Sequence, residues 1–102
     1  MATVNISIPQ QQCLAITGDL SFATAPSAVK LVKQSLASPG EWTIDLTDIT
    51  HADSAGMAFV CEIERFAKQN NMSLNWVNIP EQMRNIAQVS GLEPLFEKDS
   101  GA

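Results

Sequence analysis

The 102-residue chain has no tyrosine, a single histidine and only six lysine or arginine residues. Its formal net charge is −5. This argues against a nucleic-acid partner, because a phosphate backbone requires a basic patch. No apolar run approaches the roughly 18 residues that span a membrane, so direct membrane insertion is not expected. The first residues lack the charged and apolar regions of a signal peptide. We therefore expect a cytoplasmic protein.

The chain is also poor in metal ligands and catalytic motifs. Cys13 and Cys61 have apolar neighbours, and both are expected to be buried free thiols. Together with His51 they supply too few ligands for a zinc site. No GxxxxGK[ST] phosphate loop and no GxSxG elbow is present. We expect no cofactor, no metal and no enzymatic activity; an enzyme of unknown type is the least favoured alternative.

Short alternating runs and helical stripes predict an α/β domain. Residues 4–8 and 13–17 form a predicted hairpin that Gly18 and Asp19 end. A helix over about 25–36 follows, with Ser21 or Thr24 as its cap. It is followed by a strand over 42–46, a helix over about 54–70 and a strand over 72–76. The third helix has Asn78 as its predicted N-cap, and Glu81 completes a capping box. Leu95 and Phe96 form a last short strand or a packed tail, and residues 97–102 are expected to fray.

This order predicts a mixed sheet of four to five strands with the helices mainly on one face. The whole chain, residues 1–102, is expected to be one domain with its core between about 4 and 96. The side chains predicted to be mostly buried are Ile6, Ile16, Val29, Val32, Ile44, Leu46, Val60, Ile63, Leu74, Trp76 and Ile86.

The stretch from Asp45 to Ala58 carries most of the functional information. It leaves the carboxyl end of a predicted strand, where open α/β sheets meet ligands and partners, and enters the second helix. Asp53 and Ser54 fall at the start of that helix, and one of them is expected to cap it. A hydroxyl there also lies in the positive field of the helix terminus, where a phosphate can be held. Capping alone and a modifiable docking site both fit these residues.

The first two turns of the second helix have almost no polar residue. An amphipathic helix needs only one apolar stripe, so the surplus must be covered by the preceding loop or by a partner. In the second case the partner-binding residues are Asp53, Ser54, Ala55, Met57 and Ala58.

At these residues the chain resembles the STAS family, which is named from sulfate transporters and anti-sigma factor antagonists. The matching segments are Ile44-Asp45-Leu46, Ile49, Asp53-Ser54-Ala55-Gly56-Met57-Ala58 and Thr17-Gly18-Asp19-Leu20. The resemblance covers about residues 4–96. It implies the STAS fold and a regulatory role through docking onto another protein. It also matches Ser54 to the residue that is phosphorylated in the anti-sigma antagonist branch.

Within the family, the chain most resembles the stand-alone STAS subunits of Mla-type ABC transporters. The run from Arg65 to Asn70 favours this branch. Such transporters move phospholipids and maintain outer-membrane lipid asymmetry. The resemblance implies a cytosolic ABC ATPase as partner, with peripheral placement at the inner membrane through the complex. The alternative is an anti-sigma factor antagonist in a partner-switching pathway, bound by an anti-sigma factor kinase and controlled by phosphorylation of Ser54.

Overall fold

The computed structural model describes residues 2–97. Its elements are β1 (Val4–Gln10), β2 (Cys13–Leu20), α1 (Ala25–Ser35), β3 (Gly40–Asp45), β4 (Ile49–Ala52), α2 (Ser54–Gln69), β5 (Met72–Val77), α3 (Glu81–Ser90) and α4 (Pro94–Glu97). Fraying was predicted for residues 97–102. Of these, residues 98–102 lie outside the described part of the chain.

Five strands form one mixed sheet, as predicted. The path runs β1-β2-β3-β5, and β4 pairs with β2 beside it. The β1–β2 hairpin is antiparallel, whereas the pairs β2–β3, β2–β4 and β3–β5 are parallel. β2 therefore pairs with β3 through its first half, Cys13–Ala15, and with β4 through its second half, Gly18–Leu20. This arrangement brings the start of α2, which follows β4, to the carboxyl end of β2.

Alternation along the strands places the apolar side chains on one face of the sheet. Leu14 pairs across the ladder with Ile44, and Ile44 pairs with Trp76; all three are buried. α1, α2 and α3 supply the other side of the core through Val32, Ile63, Met83 and their neighbours. The prediction of helices mainly on one face is confirmed, and so is most of the predicted core. The predicted core residues that are only half-buried are Ile6, Val29 and Ile86, which pack against it.

Two predictions about the strands were wrong. β4 was expected to be connecting chain, but Ile49–Ala52 forms parallel pairs with β2. Gly18 and Asp19 were expected to end the second strand, yet β2 continues to Leu20. Both errors come from long-range pairing: β4 pairs with Gly18–Leu20 on one side of β2, and on the other side Val4 pairs with Gly18 and the backbone N–H of Asp19 donates to Thr3.

The entry to α3 also differs from the prediction. Pro80 occupies the N-cap position, and no side chain caps the helix. Asn78 instead adopts φ 57° and donates from Nδ2 to the Asp45 carboxylate at 3.0 Å. It therefore joins the ends of β3 and β5.

Leu95 and Phe96 lie in the short helix α4, where Phe96 packs edge-on against Trp76 with ring centroids 6.3 Å apart.

Candidate docking site

The start of α2 is capped by Asp53. Its backbone is extended, and its Oδ1 accepts a hydrogen bond from the backbone N–H of Ala55 at 2.8 Å. This is the geometry of an N-cap carboxylate. Ser54 is the first residue of α2 and is exposed. Within the described residues its hydroxyl has no hydrogen-bond partner. The hydroxyl is therefore not used by the helix and is available to another molecule.

The second carboxylate oxygen of Asp53 reaches the turn between β2 and α1, where it accepts the backbone N–H of Phe22 at 3.2 Å. That turn is fixed by its own hydrogen bonds. The Thr24 hydroxyl donates to the backbone carbonyl of Asp19 at 2.7 Å and accepts the backbone N–H of Ser21 at 2.9 Å. The Ser21 hydroxyl donates to the Asp19 carboxylate. Phe22 therefore projects from a turn whose backbone is held by hydrogen bonds.

Gly56 lets α2 approach the end of β2 closely. A Cβ atom at this position would lie 3.0 Å from the carbonyl oxygen of Leu20 and 3.6 Å from its Cγ. The contact with the carbonyl oxygen is tighter than side chains ordinarily make, whereas the contact with Cγ is an ordinary van der Waals distance. The glycine therefore allows the first turn of α2 to lie close to Leu20 at the end of β2, just before the turn that carries Phe22.

A shallow apolar groove of about 440 Å³ opens between α1 and α2 beside Ser54. The residues that line it are Phe22, Ala25, Pro26, Val29, Ala55, Ala58 and Phe59. Phe59 is buried, whereas 84% of Phe22 is exposed. Exposed aromatic surface of this kind beside a concave apolar lining is typical of protein-binding sites.

An ion pair links the two helices beyond the groove. Lys33 of α1 lies 2.9 Å from Glu62 of α2, and its ammonium is 5.5 Å from the centre of the Phe66 ring. Arg65 also pairs with Glu62. The hydrogen bonds from Lys33 and then Arg65 lower the pKa of the Glu62 carboxyl. Glu62 is therefore ionised at neutral pH, and the pair fixes the two helices side by side.

Four of the five predicted partner-binding residues lie together at this surface. Ser54 and Ala58 are exposed, and Asp53 and Ala55 are half-buried. The assignment of Met57 to the partner-binding surface was wrong, because only 3% of this residue is exposed and it belongs to the core. In an α-helix adjacent residues point about 100° apart, so Met57 faces inward while Ala58 faces out. Much of the apolar surplus predicted for α2 is thus explained by burial.

The sequence did not indicate the α1 side of this surface. Phe22, Ala25, Pro26 and Val29 were absent from the predicted site, although a large apolar residue in a turn was a usable signal. Their role depends on α1 lying beside α2, which only the fold shows.

Other site types find little support in residues 2–97. That part of the chain has no group of three or more His, Cys, Asp or Glu side chains placed to hold a metal ion. Its helices include none with the length and hydropathy to cross a membrane. Cys13 and Cys61 are free, as predicted, but are half-buried and not buried.

The fold is that of a STAS domain. The anti-sigma factor antagonist SpoIIAA, in its unphosphorylated form, superimposes with a TM-score of 0.69 at 15% sequence identity, over 98% of this chain and 89% of that chain. The family model described as "Mlab, STAS domain" matches residues 6–97, and the chain belongs to this MlaB-type STAS family. A search of the curated proteins returned no match. Members of the STAS family are regulatory, non-catalytic proteins that interact with partners such as kinases or ATPases.

Proposed function

We propose that this protein is a non-catalytic regulatory subunit that docks onto the cytosolic ATPase of an Mla-type ABC phospholipid transporter. In this role it supports the assembly and activity of a transporter that maintains outer-membrane lipid asymmetry. The protein acts in the cytoplasm, peripheral to the inner membrane through the complex, and residues 1–102 act as one domain with its core at about 4–96. The match to the MlaB-type family supports the choice of partner.

The observation that carries the docking role is the exposed apolar surface around Ser54. Phe22 projects from a turn held by hydrogen bonds, and Ala58 leaves the groove beside it open. An aromatic side chain has only two rotatable bonds, so on a backbone turn that is already held by hydrogen bonds it loses little conformational entropy on binding, which makes it an effective anchor. Asp53, Ser54 and Ala55 complete the edge of the contact surface.

Reconstitution with the ATPase tests this proposal. The ATPase subunit encoded in the same genome is purified, and its ATP hydrolysis is measured with and without this chain. We expect a stable complex and higher or longer-lasting activity. Phe22→Ala should weaken the complex, whereas Val89→Ala on α3, which also removes an exposed apolar side chain, should not. An ATPase that neither binds this chain nor responds to it would contradict the proposal.

The second candidate is an anti-sigma factor antagonist controlled by phosphorylation of Ser54. The observation that favours it is the exposed Ser54 hydroxyl with no partner in the described residues. A phosphate there would add a charge of about −2 to the docking surface. Incubation with the genome's anti-sigma factor kinases and ATP, followed by mass spectrometry, tests it. Phosphate on Ser54, together with kinase binding that the modification abolishes, would favour this candidate over the transporter subunit.

A further inference from the structure

β1 is an edge strand with a free outer side. It lies at the end of the sheet order, and β2 is the only segment of residues 2–97 that pairs with it. Sheet edges are usually protected against pairing with another chain by charged side chains, prolines or bulges. Here Pro9 and a register shift between Ser7 and Gln10 protect the far end of the strand. The first charged side chain of the sequence is Asp19, so residues 4–8 carry no such protection.

The hydrogen bonds of the hairpin show which backbone groups of β1 point outward. The backbone N–H of Asp19 donates to the carbonyl oxygen of Thr3 at 2.7 Å. Bonded and non-bonded pairs alternate along an antiparallel ladder, so every second residue from Thr3 onward bonds to β2. The N–H of Gly18, which pairs with Val4, accordingly donates away from β1, to Asp48. The residues whose N–H and C=O groups face the free side are Val4, Ile6 and, at the register shift, Ile8.

An apolar strip follows this edge on the helix side of the sheet. Val4 and Ile6 are half-buried and pack against the core. Ile8 continues their alternation, and 49% of it is exposed. The free backbone groups and the uncovered apolar surface therefore belong to the same three residues.

α1 adds another exposed apolar side chain on this side of the molecule. Leu31 is 37% exposed. It precedes Lys33 by two residues, which is about 200° around a helix, and Lys33 meets Glu62 of α2. Leu31 therefore lies on the flank of α1 that faces away from α2. Because α1 packs against both α2 and β1, this flank lies towards β1 and the free edge.

We propose that a second copy of this chain pairs with the free edge of β1, antiparallel and centred on Ile6, so that the two sheets join into one. Ile6 pairs with Ile6 of the second copy, and Val4 pairs with Ile8, which gives about six main-chain hydrogen bonds. The two apolar strips then lie on the same face of the joined sheet, with Leu31 of each copy beside them. This inference goes beyond the proposed function and does not depend on it.

Symmetry and charge favour a second copy as the occupant. Antiparallel pairing about Ile6 opposes two identical segments, so each free N–H meets a C=O group and each apolar side chain meets another. The chain as a whole has a net charge of −5, yet β1 has no charged side chain. Two copies therefore approach through β1 with no like charges opposed. A partner strand with charged side chains would find no opposite charge on this edge.

The size of the contact determines its strength. Five paired residues extend over about 17 Å, whereas stable interfaces bury at least about 1,200 Å². We therefore expect a weak dimer that forms as the concentration rises. The groove beside Ser54 lies on the α2 side of α1, so both copies keep it free.

Sedimentation equilibrium of the full chain between about 10 μM and about 1 mM tests for the dimer. We expect the dimer fraction to rise over this range. Ile8→Lys places a charge in the apolar contact and should raise the dissociation constant about tenfold or more. Val89→Lys is the matched control, because Val89 is also an exposed apolar residue but lies on α3. A monomer at every concentration, or an equal loss in both variants, would overturn the inference.

Amide hydrogen exchange identifies the surface that forms the contact. The N–H of Ile6 should exchange more slowly as the dimer fraction rises. The N–H groups of Asn5 and Ser7, which bond to β2, should be protected equally at low and high concentration. A dimer that leaves the exchange of Ile6 unchanged uses another surface and contradicts the inference.

Disulfide cross-linking tests the register. In a chain with Cys13→Ser and Cys61→Ser, Ile6→Cys should form a linked dimer on mild oxidation, because bonded antiparallel pairs have Cα atoms about 5.5 Å apart. Ile8→Cys should link much more slowly, since its counterpart lies about 14 Å along the strands. Faster linking through Ile8→Cys would contradict pairing centred on Ile6.

The ATPase subunit separates this inference from the proposed function. Ile8→Lys should bind the ATPase as the wild type does, because the docking surface lies on the other flank of α1. If the dimer forms and no ATPase binds, the inference stands and the choice of partner fails. If the exchange of Ile6 slows only when the ATPase is added, β1 pairs with a strand of the partner and the second-copy inference is wrong.

Discussion

The carboxylate of Asp53 and the backbone N–H of Phe22 lie 3.2 Å apart, although 31 positions separate them in sequence. The other oxygen of the same carboxylate caps α2 at the backbone N–H of Ala55. One side chain therefore holds the β2–α1 turn against the start of α2. The two parts of the docking surface, one carrying Phe22 and the other Ser54, are joined through it.

Removing this carboxylate should destabilise the fold more than removing the neighbouring hydroxyl. Asp53→Ala loses the α2 cap and the bond to Phe22, and we expect a loss of about 1–2 kcal/mol in the free energy of unfolding. Ser54→Ala should change it by less than about 0.5 kcal/mol, because the exposed hydroxyl makes no hydrogen bond within residues 2–97. Urea denaturation followed by tryptophan fluorescence measures both. A larger loss in Ser54→Ala would show that Ser54, and not Asp53, is the cap.

Gly18 is a position where the fold tolerates no side chain. It adopts φ +101°, and a Cβ atom there would lie 2.4 Å from the carbonyl oxygen of Thr3. We expect Gly18→Ala to reduce the free energy of unfolding by more than about 2 kcal/mol, since strain and a backbone clash combine. Gly91→Ala is the control, with φ +73° and open space around it; it should cost only the backbone penalty of about 1 kcal/mol. Similar losses in both would mean that the clash near Thr3 relaxes freely.

The Asp45 carboxylate should make stability depend on pH in the acid range. Hydrogen bonds from the Thr47 hydroxyl, then from Asn78, lower its pKa below the ordinary value. A group with a lowered folded pKa stabilises the protein above its unfolded pKa, about 4, and that contribution is lost as pH falls through the folded value. The stability advantage of the wild type over Asp45→Asn should thus be constant above about pH 5 and shrink below about pH 4. Thermal unfolding from pH 7 to pH 3 measures it, and an advantage that grew on acidification would contradict the assignment.

Much of the fold could be predicted because local patterns and tertiary structure agree. Alternation in β3 and β5 and the helical stripe of α2 each match the face that is buried. β4 could not be predicted in this way, because Ile49–Ala52 is only four residues long and its strand conformation depends on pairing with β2. The same long-range pairing overrides the tendency of Gly18 and Asp19 to end a strand.

The candidate site was predicted on one side only. The motif placed Asp53 and Ser54 correctly at the start of α2, because capping is a local property. Met57 was assigned to the surface because an apolar run gives no indication of which side is covered. Phe22 and Val29 were missed because their proximity to α2 arises from the crossing of chain segments far apart in sequence.

The central claim, that the surface around Ser54 docks onto an ATPase, is tested most directly by calorimetric titration of the purified ATPase subunit with wild type and Ser54→Glu. A new charge at a desolvated contact should weaken binding by about 1–3 kcal/mol, which raises Kd by roughly 5- to 150-fold. The melting temperature should stay near that of the wild type, because a carboxylate is favourable at a helix amino-terminus. Val89→Glu, which adds the same charge at an exposed position of α3, should bind normally. Wild-type affinity for Ser54→Glu would show that this surface is not the docking site.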